Sequence, residues 1–109
     1  MNKDDNIYLV HIIESISRIE RHTGNLSKKD FLQNELIQAA TIRELEIIGE
    51  AAKHISKVTR DKCIDIPWKK IAGMRDKLIH NYFGVDLEAV WKTIRKDIPV
   101  LKDKIITLL

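Results

Sequence analysis

What this chain lacks narrows its possibilities first. It has one cysteine, Cys63, in 109 residues, so it can make no internal disulfide. A lone thiol fits a reducing, cytoplasmic setting. No activating arrangement is visible around Cys63, and the residue reads as structural or incidental. Two prolines and four glycines leave few breaks, and the apolar–polar alternation of a half-buried strand is absent. No apolar run is long enough to span a bilayer, and Met1-Asn2-Lys3-Asp4-Asp5 is not a signal-peptide pattern, so no membrane association is expected. There is no glycine-rich nucleotide loop, no H-E-x-x-H pattern and no cysteine pair at metal-ligand spacing. His11 and His22 read as surface residues. No cofactor and no metal are therefore expected.

What is present suits one helical domain spanning residues 1–109. Apolar residues make up 44% of the chain and charged residues 32%, ordinary for a globular protein with a single core. The net charge of +3 is uneven. Residues 1–52 carry 6 basic and 9 acidic side chains, residues 53–77 carry 8 and 3, and residues 78–109 carry 5 and 4, giving −3, +5 and +1. The basic middle attracts polyanions such as RNA; a solvated helical surface would look the same.

Helical periodicity organises the rest. Leu9, Ile12, Ile13, Ile16 and Ile19 form a stripe that predicts a helix over residues 4–22, with Asp4 or Asp5 as its cap and Gly24-Asn25 as its stop. Ser27-Lys28-Lys29-Asp30 resembles a capping box and should open a short turn through Phe31-Leu32. A long helix is predicted from Glu35 to Val58, its core row being Leu36, Ala40, Ile47, Ala51 and Ile55, with Ile48 beside it. Gly49 within it suggests close approach by another helix. Arg43, Glu46 and Glu50 form a polar line on that helix, readable as plain surface contacts or as one wall of a cleft. Thr59–Asp65 reads as a charged linker, and Pro67 suits the start of the next helix. Asp86 reads as an N-cap. Leu87, Val90, Trp91, Ile94, Ile98, Leu101 and Ile105 carry a last stripe, which Pro99 should kink or restart near Ile98.

The segment Met74-Arg75-Asp76-Lys77-Leu78-Ile79-His80-Asn81-Tyr82-Phe83 stands apart. At helical spacing Trp68, Ile71, Arg75, Leu78 and Tyr82 share one stripe. Arg75 is the member that resists burial, because an unpaired guanidinium in a core is costly. It needs an acidic partner, such as Glu46 or Asp76, or a polar cleft. His80 lies about 140° round a straight helix from Arg75, so one helix face does not hold both. Asp76 is the better-aligned neighbour of His80. Asn81 is a plausible helix stop, and a histidine there could simply be favoured by the helix dipole.

Three blocks give a resemblance. Arg75-x4-His80-x-Tyr82 resembles the R-x4-H-x-Y signature of HEPN-domain toxins of the HepT type, the DUF86 family. Arg43-Glu44-Leu45-Glu46-Ile47-Ile48-Gly49-Glu50-Ala51 is similar to that family's R-x-x-E-I-I-G-E-A helix. Ile66-Pro67-Trp68, with Ile71, Gly73 and Met74, is similar to its lead-in to the R-x4-H helix. The resemblance implies an all-α, up-and-down bundle of HEPN type with four to five helices, and a homodimer whose two R-x4-H motifs face one cleft. It implies a metal-independent endoribonuclease acting as the toxin of a toxin–antitoxin pair, with Arg75 and His80 catalytic. Arg43, Glu46, Asp76 and Asn81 would support the cleft. The partner implied is a minimal nucleotidyltransferase antitoxin, which would attach AMP to Tyr82. The alternative is a non-catalytic helical companion subunit of that nucleotidyltransferase. The chemistry suits the residues. Histidine can move protons near neutral pH, and arginine offers fixed, forked donors to a phosphorane. One histidine and one arginine are an incomplete set, which a two-fold dimer would double.

Overall fold

The computed structural model describes residues 3–74 and 86–109. Among these residues the only regular structure is helical, and the expected all-α bundle is what forms. The elements are α1 (Lys3–Thr23), α2 (Lys28–Leu32), α3 (Glu35–Lys53), α4 (Lys57–Lys62), α5 (Trp68–Ala72), α6 (Leu87–Lys92), a π segment (Thr93–Asp97) and α7 (Ile98–Leu108).

α1 buries Leu9, Ile12, Ile16 and Ile19 almost completely, and the half-buried Ile13 flanks them. Full burial of each such side chain contributes about 1.5–3 kcal/mol. The helix stops at Gly24, whose N–H donates to the Glu20 carbonyl at 2.8 Å. A Cβ at Gly24 would lie 2.7 Å from that oxygen, so a larger residue could not close the turn. Asp5 does not cap its own helix. Its carboxylate accepts the Ser56 N–H at 2.8 Å, the Ser56 hydroxyl and the Thr59 hydroxyl at 2.6 Å.

That interaction corrects the predicted α3. The helix ends at Lys53 instead of Val58, because Asp5 holds Ser56 in an extended conformation where it caps α4. Residues 57–62, expected as part of that helix and of the linker, form α4. The core row differs too. Leu36 is 81% exposed, whereas Leu45, Ile48, Ala51, Ala52 and Ile55 are buried; Ala40 and Ile47 are half-buried. Two apolar rows run along α3. The one containing Leu45, Ile48 and Ala52 turns inward, and Thr41 and Glu44 turn with it.

The other starts follow local chemistry. Ser27 accepts from the Asp30 N–H at 3.1 Å, Asn34 from Ile37 at 3.0 Å, and Asp86 from Ala89 at 3.1 Å. Pro67 is the residue just before α5. Near Pro99 the chain restarts as expected, through a widened turn. Proline has no N–H, and its ring would meet the carbonyl four residues back. The π segment before Ile98 accommodates that misfit.

The cross-links give the directions. Asp5 meets Ser56 and Arg18 meets Glu44, so α1 and α3 are antiparallel. Arg95 meets Thr23 and Leu26, and Lys102 meets Glu20, so α7 returns antiparallel along α1. Val90, Ile94, Ile98, Leu101 and Ile105 complete the core. Among the described residues no helix is long and apolar enough to cross a membrane.

Candidate functional site

α5 and α6 bracket the segment singled out by sequence. Arg75, Asp76, His80, Asn81 and Tyr82 lie outside the described residues. The start of their stripe is described: Trp68 and Ile71 are buried, and the Trp68 indole N–H donates to the Cys63 carbonyl at 3.1 Å. Between α5 and the α6–α7 rod lies a cavity of about 520 Å³. Ile66, Ile71, Met74, Val90, Ile98 and Leu101 give it an apolar floor, and Lys70, Asp86, Asp97 and Lys104 stand among its polar lining. Met74 and Asp86, the described residues on either side of positions 75–85, both line it.

On α3, Arg43 is exposed and Glu46 is half-buried. Neither makes an ion pair among the described residues, so of the two readings of that polar line the plain surface contact between Arg43 and Glu46 is not formed. Glu50 lies 3.6 Å from the His54 imidazole, which stacks on Tyr8 with ring centroids 4.8 Å apart. The inward-facing acid is Glu44. Its two carboxylate oxygens each lie 2.8 Å from Arg18 Nε, and Arg18 also donates to Ser15 Oγ at 3.3 Å. Neither Arg18 nor Glu44 stood out in the sequence. The available signal was Glu44's place beside Leu45 and Ile48, once that row is recognised as the buried one.

Cys63 donates its S–H to Asp65 Oδ1 at 3.1 Å. Burial pushes the thiol pKa up, and Asp65 adds to the rise, so Cys63 is a poor thiolate nucleophile. Cys63 and Lys104 hold the exposed Asp65 carboxyl below its ordinary range. Among the described residues no group of three His, Cys, Asp or Glu is placed to hold a metal ion.

Comparison with known proteins addresses the same region. A family model described as Ribonuclease HepT-like matches residues 12–108. A Methanocaldococcus jannaschii protein, named a gamma-glutamylcyclotransferase and provisionally an RNase, is 49% identical over 109 residues. The match covers 100% of this chain and 49% of that protein, so the chain spans about half the length of that relative. A probable ribonuclease HepT of Thermococcus cleftensis is 48% identical over 104 residues, covering 95% of this chain and 94% of its own. A protein of Caldanaerobacter subterraneus subsp. tengcongensis, provisionally named an RNase, is 45% identical over 98 residues, covering 90% and 88%. No solved structure matches the chain.

Proposed function

Because this chain belongs to the HepT-like ribonuclease family, we propose that it is an endoribonuclease toxin that cuts RNA without a metal. The observation that carries the reading is the position of Arg75-x4-His80-x-Tyr82 inside the matched span, with Arg75 in the +5 stretch of residues 53–77 and the rest of the motif directly after it. In this mechanism the RNA 2′-oxygen loses its proton to a histidine and attacks the adjacent phosphorus. The P–O5′ bond breaks, and the leaving oxygen takes a proton. The products are a 2′,3′-cyclic phosphate and a 5′-hydroxyl. His80 moves the protons, and Arg75 meets the charge that develops on the phosphorane oxygens. A homodimer supplies two copies of each to one cleft. Arg43 and Glu46, which have no ion-pair partners among the described residues, support that cleft with Asp76 and Asn81. The partner is a minimal nucleotidyltransferase that attaches AMP to the Tyr82 hydroxyl. The added phosphodiester occupies the place of the RNA phosphate and repels its backbone, as other charge-adding modifications act.

The test compares wild type, Arg75→Ala and His80→Ala in cells and on purified RNA. Wild type should be toxic and should cleave in EDTA, leaving cyclic phosphate ends, and both variants should be inert but helical. Full activity in His80→Ala, or cleavage that needs a divalent ion, refutes the mechanism. After co-expression with the nucleotidyltransferase, intact mass should show added AMP that Tyr82→Phe does not gain.

A further inference from the structure

A second hollow, of about 490 Å³, lies where α2 meets α6 and the π segment. Four of its lining side chains are basic, Lys28, Lys92, Arg95 and Lys96, and two are acidic, Asp86 and Glu88. The balance is +2, four minus two. Lys92, Arg95 and Lys96 come from one short run of sequence, and the fold adds Lys28 to it.

The four cations are not equivalent. Arg95 is committed to the protein: its Nη2 donates to the Thr23 carbonyl at 2.6 Å and the Leu26 carbonyl at 2.7 Å. Its guanidinium lies 4.2 Å from the Trp91 ring centroid, and Trp91 rests on Phe31. Arg95 and Trp91 therefore make a fixed floor. Lys28 pairs with Glu88 at 3.2 Å, but both are exposed, and such pairs are weak and screened by salt. Lys92 and Lys96 are exposed and have no ion pair among the described residues. Four positions apart on one rod, they stand roughly one helical turn from each other. They form an open row of cations beside an aromatic floor, with no enclosing pocket for a compact anion. A polyanion fits such a row, because each phosphate it presents releases condensed counterions when a lysine replaces them.

We propose that this groove is an accessory track for the backbone of single-stranded RNA, with Lys92, Lys96 and Lys28 holding phosphates away from the point of cleavage. The choice of RNA as the polyanion rests on the ribonuclease reading; the groove itself does not. Asp86 lines both this groove and the larger cavity, so the two hollows adjoin at the start of α6.

The experiment measures fluorescence anisotropy of a labelled, mixed-sequence single-stranded RNA across a salt series. The full-length His80→Ala protein is compared with the same protein carrying Lys92→Ser and Lys96→Ser. Each phosphate contact contributes about 0.7 to the slope of log affinity against log salt for a single strand. The slope should fall by about 1.4, which makes binding at 0.1 M salt about 25-fold weaker relative to 1 M. Lys92→Arg with Lys96→Arg should restore it. In otherwise unaltered protein the serine pair should raise KM for RNA cleavage and leave kcat in place. An unchanged salt slope, a loss that the arginine pair does not restore, or no RNA binding by His80→Ala protein at low salt overturns the track. So does a binding loss seen with polyglutamate instead of RNA, which assigns the groove to an acidic polypeptide. If wild type does not cleave but the lysine variants still change the slope, the ribonuclease reading fails and the track stands.

Discussion

Replacing Asp5 by asparagine should destabilise the fold strongly at neutral pH and much less in acid. The carboxylate is 1% exposed and accepts three hydrogen bonds, from the Ser56 N–H, the Ser56 hydroxyl and the fully buried Thr59 hydroxyl. Hydrogen bonds to a charged group contribute about 1.5–3 kcal/mol each, and a buried donor left unpaired costs about 1–3 kcal/mol. An amide keeps one acceptor oxygen but turns an NH2 toward a donor. We therefore expect a loss of about 2–4 kcal/mol, a large share of the roughly 5–15 kcal/mol typical of a whole domain. Burial alone would raise the Asp5 pKa, but the Ser56 and Thr59 hydrogen bonds outweigh it, and the net shift is downward from 3.8. A depressed folded pKa stabilises the fold above the unfolded value, and that contribution disappears as pH falls through the folded pKa. The gap between wild type and Asp5→Asn should be full above about pH 5 and should narrow below about pH 4. Urea denaturation followed by circular dichroism, at one fixed protomer concentration, measures both. A variant as stable as wild type at pH 7 refutes the reasoning. A gap that stays the same down to pH 3 assigns the loss to packing instead of charge.

Two further outcomes follow from the same structure. Arg18→Ala strands Glu44, whose side chain is 8% exposed against 36% for Arg18; we expect a loss of about 1–3 kcal/mol, reduced from the fully buried case by Arg18's partial exposure. Adding Glu44→Leu should recover most of it in a denaturation cycle, and a double variant no better than Arg18→Ala would contradict the pairing. Cys63 should react sluggishly with a thiol reagent at pH 8, and its rate should still be climbing with pH at pH 9 without levelling off, because its thiol pKa is raised above 9.0. Fast labelling at pH 7 would contradict that shift.

Much of this fold is legible in the sequence where one segment decides its own structure. α1, the caps at Ser27 and Asp86, and the restart at Pro99 depend on local periodicity, a short side chain or a missing N–H. α3 was less legible, for two separate reasons. Its end is set by Asp5, about 50 positions earlier, and no local pattern reports that hydrogen bond. Its rotation is a choice between two apolar rows, settled by packing on α1 and by Arg18–Glu44. Of the candidate site, Arg43 is exposed and Glu46 half-buried on α3, and Arg75, Asp76, His80, Asn81 and Tyr82 lie outside the described residues; the groove of Lys28, Lys92 and Lys96 exists only once α2 and α6 meet.

α1 is closed at both ends by residues that come much later in the chain. Asp5 waits for Ser56 and Thr59, and the carbonyls of Thr23 and Leu26 wait for Arg95. On the ribosome, chain growth at about 5–20 residues per second separates the synthesis of residue 59 from that of residue 95 by about 2–7 s. During that interval the α1–α3 pair can form, yet the face of α1 that receives α7 has no cover. A nascent chain whose first 62 residues have emerged from the ribosome should therefore present to chaperones the part of α1 that α7 later covers, and release from them should depend on synthesis of the last fifteen or so residues.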